Sequence, residues 1–215
     1  MQNRKPILGM LIFSYHAVKG SVFMDLLLCV GIGIGAIFSG HNAVIQLFAV
    51  LAAGSAPYIV MMKTGGIAKW EQYQLSMPIK RKHLATILYL NVLIAALMML
   101  PIIGAVWGVG FIFNAVTVET IVQGLGGISF IYGSVLLMAA LLYTLGCTRL
   151  GGQNESGLFI VCIVIAVAAV YAISVAGHAI GLTSGIISLL IIAITGLAFV
   201  AALFITKAMY AKMDF

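Results

Sequence analysis

Apolar residues run along this chain in blocks too long for the core of a soluble domain, and one extended polar interval, residues 63–84, divides them. Runs of about eighteen or more near-chargeless residues read as membrane spans. The blocks at 22–39, 43–62, 84–113, 121–147, 157–177 and 185–206 predict six of them. The third block is the longest. At about 1.5 Å per residue it outruns a hydrocarbon core of about 30 Å, so it is tilted, kinked at Pro101 or extended past the core. The Gly54-Ser55-Ala56-Pro57 run predicts a kink in the second span. Residues 1–21 are apolar and aromatic with polar breaks, which suits a helix lying in the interface with Lys19 reaching for headgroups. Tyr15, His16 and Lys19 interrupt that stretch, so it does not read as a cleavable signal. The expected fold is all-α: a polytopic membrane protein with six transmembrane helices, an N-terminal interfacial helix, and one transmembrane domain over residues 1–215.

Composition supports lipid as the solvent. The chain is 63% hydrophobic and 7% charged, against about 25% charged in a soluble domain. Cys29, Cys147 and Cys162 lie in or at the ends of apolar runs, without C-x-x-C spacing or a histidine cluster. They read as small apolar fillers, and no metal site is expected.

Charge fixes the expected orientation. Six spans put both termini on one side, and all 11 basic residues then fall there: Arg4, Lys5, Lys19, Lys63, Lys69, Lys80, Arg81, Lys82, Arg149, Lys207 and Lys212. The opposite loops, near Gly40, Asn114 and His178, have none. By the positive-inside rule the termini and the 63–84 interval are cytoplasmic, in a multi-pass cell-membrane protein.

Catalytic chemistry is missing from the pattern. The chain contains no G-x-x-x-x-G-K-[ST] phosphate loop, no H-E-x-x-H and no G-x-S-x-G. It is not expected to be an enzyme or to bind a cofactor itself. Asp25 and Glu119 sit near span ends, so no carboxylate reaches mid-membrane as an ion-coupled carrier usually requires. Gln46, Asn91, Gln123 and Tyr171 either line a route or bridge helices. Gly31 and Gly35, with Ser39 four further on, make one small face for close helix packing.

The polar interval has its own grammar. Gly65-Gly66 suits a helix stop, Ile67, Trp70 and Tyr73 or Gln74 recur at helical spacing, and Pro78 forces Met77 to extend. This is a short amphipathic helix, either anchored among headgroups by its aromatics or inserted into a groove on a soluble partner.

The run Lys69-Trp70-Glu71-Gln72-Tyr73-Gln74-Leu75-Ser76-Met77-Pro78-Ile79-Lys80-Arg81-Lys82-His83 resembles the W-E-x-Y-x-x-S-L-P-I-S-R-x-E signature of bacterial ABC-2-type transporter permeases. The order of parts is similar over essentially the whole chain. The resemblance implies an exporter in which two permease copies or paralogues form a membrane dimer, and two separate cytosolic ATPases bind ATP and Mg. Residues 63–83 would be the coupling segment, with Lys69, Trp70, Glu71, Tyr73, Gln74, Leu75, Pro78 and Arg81 touching the ATPase. Arg149 and Glu155 would make a second cytoplasmic contact, and the dimer seam would pass Gly31 and Gly35. By size the chain is most similar to exporters of phenol-soluble modulins, which implies amphipathic peptide, antimicrobial or lipid-like cargo.

One departure changes the chemistry. Where the family has serine and glutamate after Pro-Ile, this chain has Lys80 and His83, so the capping box is lost. Cations at a helix start are unfavourable. Lys80, Arg81 and Lys82 therefore call for an acidic partner, with anionic lipid headgroups expected at about 1 kcal/mol per basic residue and an acidic patch on the ATPase as the alternative. A different class also fits the polar interval: a non-transporting scaffold or sensor subunit docking a cytosolic protein through residues 63–83.

Overall fold

The computed structural model describes residues 20, 23–24, 27–35, 37, 51–52, 54–55, 57, 81–113, 116–146 and 155–212. Among these, everything is helix or short connection. Four long helices account for most of it: α1 Arg81–Ile112, α2 Val118–Gly146, α3 Glu155–Ala179 and α4 Ser184–Lys212. Each contains a stretch long and apolar enough to cross a membrane, and they coincide with the third to sixth expected spans. The first two spans fall mostly outside the described residues, although 27–35 is helical. The N-terminal interfacial helix and the helix expected in 63–83 lie outside them too.

Local chemistry explains the ends. Thr117 caps α2, its Oγ1 accepting the Thr120 amide at 3.2 Å, and Glu119 sits favourably in the first turn. The α3–α4 turn closes as a paired C-cap: the Gly181 amide donates to His178 O at 3.0 Å and the Leu182 amide to Gly177 O at 3.1 Å. Gly181 takes the left-handed φ of 79° that this turn requires. α4 continues past the expected end at Thr206 to Lys212. There the Lys207 Nζ lies 5.7 Å over the exposed Phe204 ring, an arrangement suited to the membrane boundary.

Contacts set the directions of the four helices. α1 and α2 are antiparallel: Trp107 meets Gly124, Tyr132 meets Ala96, and Tyr89 meets Tyr143. α3 and α4 are antiparallel as well, with Gly177 against Ile187 and Val170 clustering with Ile191. α2 and α4 run parallel, because Gly126, Gly133 and Thr144 face Ser188, Ile191 and Thr206 in that order. These two form the most extensive pair and the middle of the bundle, and each also packs on α1 and α3. Close approach along this seam needs Gly133: a Cβ there would lie 2.5 Å from Ile191 Cγ2.

The outer surface is aliphatic, with Leu189, Leu197, Ile160 and Val164 exposed, as expected where lipid replaces water. Without a hydrophobic drive between helices, packing and interhelical hydrogen bonds hold such a bundle together. Most interior hydroxyls close on their own helix: Ser134 donates to Phe130 O, and Thr195 donates to Ile191 O.

Candidate functional site

The end of the bundle formed by the starts of α1 and α3 and the close of α2 and α4 carries Arg81, Lys82, Glu155, Lys207 and Lys212. It is the end from which the polar interval leaves. Lys69, Trp70, Glu71, Tyr73, Gln74, Leu75, Pro78, Lys80 and Arg149 lie outside the described residues. Arg81 and Lys82 open α1, which has no acidic residue in its first turn. Glu155 is the first residue of α3, where a carboxylate suits the positive end of the helix dipole. Gly31 and Gly35 lie in the 27–35 helix with open space where their Cβ atoms would be, so that face can accept a close neighbour.

Behind this end sits an aromatic and hydroxyl knot. Tyr89, 1% exposed, lies about two turns above Arg81. Its ring centroid is 5.2 Å from Tyr143 on α2 and 4.8 Å from Phe199 on α4, both tilted. Such ring pairs add about 0.5–1.5 kcal/mol beyond the area buried. The Tyr89 hydroxyl shares a 3.0 Å hydrogen bond with the fully buried Thr206 Oγ1, which in turn lies 3.4 Å from Thr144 Oγ1. Three helices therefore meet at one buried polar point about two turns into α1.

A second polar tie lies deeper. Tyr132 of α2 donates its hydroxyl to Ala96 O on α1 at 2.8 Å. Cys29 and Ser55, in the described parts of the first two spans, approach to 3.8 Å, and Gly54 lies against Ile131 of α2. Of the polar residues expected to line a route or bridge helices, Gln123 and Tyr171 are on the exposed side and Asn91 is half-buried, while Gln46 lies outside the described residues. The interhelical bonds Tyr89–Thr206, Tyr132–Ala96 and Thr144–Thr206 come from tyrosines and threonines that apolar sequence runs had absorbed. A tyrosine or threonine inside a membrane span was the only available signal for them.

The described residues contain no group of three or more His, Cys, Asp or Glu side chains able to hold a metal. No curated protein and no solved structure matches this chain. A family model described as ABC-2 family transporter protein matches residues 15–212. With four membrane-length helices in the expected order and a match running through nearly the whole sequence, the chain belongs to the ABC-2 transporter family, as a membrane permease component of an ABC transporter.

Proposed function

We propose that this chain is the permease subunit of an ATP-driven exporter, working as a dimer with an identical copy or a paralogue. Two separate cytosolic ATPases bind the ATP and Mg and supply the work. The observation that carries this reading is the transporter-family match over residues 15–212 in a sequence with no phosphate-binding loop. A permease without its own nucleotide site needs one in trans.

The coupling contact is assigned to residues 63–83, with Trp70, Glu71 and Tyr73 as the anchors and Pro78 setting the turn into α1. ATP-driven closure of the ATPase pair would press on this segment, and the Tyr89–Thr206 bond would pass the displacement to α4. ATPase closure can shift the permease only as far as it binds one state better than the other. Arg149 and Glu155 form the second contact on the same face. Lys80, Arg81 and Lys82 meet anionic headgroups, and Gly31 and Gly35 line the dimer seam. The cargo is an amphipathic peptide or lipid-like molecule entering laterally, in keeping with the apolar, uncharged spans.

The test is co-purification of the tagged full-length chain from its own membranes, followed by reconstitution. An ATPase should accompany it, and an added amphipathic helical peptide should stimulate ATP turnover. A chain that brings down no ATPase, under conditions that preserve membrane complexes, would refute the exporter reading.

A further inference from the structure

We infer that the outer third of α1 is a hinged arm: it turns about Pro101 and carries Trp107 into and out of a seat on Gly124 of α2. In the permease reading, which this inference uses for its purpose and not for its geometry, such an arm gates the end of the bundle opposite the coupling segment.

The two halves of α1 share one apolar core but are tied differently, because the interhelical hydroxyl bonds described for this helix fall in its inner half. Before the proline, Ala85, Ile87, Leu88, Tyr89, Val92 and Met99 are buried, and two hydroxyl bonds pin the helix, Tyr89 to Thr206 and Tyr132 to Ala96 O. Pro101 then removes the amide that would donate to Leu97 O, so the backbone ladder is open at that point. Leu97 and Pro101 both lie on the exposed side of the helix. Beyond the break, Gly104 and Gly108 face open space, with nothing within 4 Å of where a Cβ would be. Among the described residues, the arm is held by Ile102, Ile103 and Val106 in the core, by Gly110 against Val116 and Ile37, and by the indole of Trp107 on Gly124.

That seat is tight and electrically incomplete. A Cβ on residue 124 would come within 2.6 Å of Trp107 Cζ2, so only glycine leaves room for the ring. Trp107 is 8% exposed, yet its Nε1 is buried without a hydrogen-bond partner among the described residues. A buried donor without an acceptor costs enough to shift a two-state population by on the order of tenfold. Leaving the seat for the nearby interface recovers that bond. Trp107 stands six residues past the proline, about 9 Å along the axis. A bend change of about 20°, ordinary for a proline kink, moves it by roughly 3 Å, enough to clear the seat.

The chain has 2 tryptophans, Trp70 and Trp107, so Trp70→Phe leaves Trp107 as the sole reporter. The full-length protein is placed in nanodiscs made with bromine-labelled lipid, acrylamide is added, and the quenched fraction of Trp107 emission is measured. We expect a protected and a quenched population. Gly124→Ala should raise the quenched fraction severalfold, and Pro101→Ala, which restores the amide to Leu97 O, should lower it severalfold by making the arm one rod with the pinned inner half. A single protected population in the starting protein overturns the inference. So does quenching that responds to Gly124→Ala and ignores Pro101→Ala, since the ring would then be displaced locally without a hinge. Should Gly124→Ala fail to assemble, Pro101→Ala alone decides. No ATPase takes part, so failure here and failure to recover a partner ATPase are separate results.

Discussion

Tyr89 shows how much one side chain can do in a bundle that gains little from burying apolar surface. Its ring fills the space between Tyr143 and Phe199, while its hydroxyl ties α1 to α4. Tyr89→Phe keeps the rings and removes the tie. Interhelical hydrogen bonds in membranes average about 0.6 kcal/mol and reach about 1.7 kcal/mol, so a fall in melting temperature of a few degrees is expected in nanodiscs. Combined with Thr206→Val, the loss should be clearly less than additive, since both changes break the same bond. Gly133 and Gly126 provide a contrast on one helix. Gly133→Ala drives a methyl to 2.5 Å from a buried Ile191 and should cost about 1–3 kcal/mol. Gly126→Ala meets its nearest atom at 4.0 Å and should be neutral or slightly stabilising through better helix propensity. Thermal unfolding of the two variants side by side checks both values.

Which glycine does which job was not legible in the sequence, and the reason lies in the helices themselves. Membrane lengths, order and approximate ends could be read from apolar runs and glycine or polar breaks, and α1 to α4 follow them within a few residues at most ends. Burial faces could not. Each helix is apolar all round, so periodicity gives no inward side, and Cys162, Ala166 and Val170 look no different in sequence from Val164 and Val167. The polar interval stands out in the sequence because it departs from its surroundings, and residues 63–80 of it lie outside the described residues. Its role divides cleanly by experiment. Trp70→Ala with Tyr73→Ala should weaken recovery of the ATPase by tenfold or more at unchanged membrane insertion. Charge reversal at Lys80, Arg81 and Lys82 should impair insertion while leaving ATPase binding. The opposite result for the charge reversal would give that cluster to the ATPase.

The whole molecule is ordered by an asymmetry of charge and by alternating helix directions. α1 to α4 put Arg81, Lys82, Glu155 and Lys207 at one end and the 113–117 and 180–183 connections at the other. All 11 basic residues belong to the first end when two further spans precede α1, which predicts that this end faces the cytoplasm. A membrane-impermeant maleimide should therefore label a cysteine introduced at the exposed Ile180 in whole cells. A fluorescent protein fused after Phe215 should fold inside them. Labelling of the 180–183 turn only after permeabilisation would reverse the assignment.

The parallel seam between α2 and α4 has a consequence for how the protein is made. Each helix in that pair must wait for α3 to cross in the other direction before the two can meet. While synthesis has reached only the end of α3, the surface of α2 around Gly126, Gly133 and Thr144 has no α4 to cover it, and Tyr89 has neither Phe199 nor Thr206. The bundle of these four helices closes late, when α4 joins the three made before it. Until then the half-built protein presents a gap to the lipid, the kind of surface that membrane chaperones and proteases inspect.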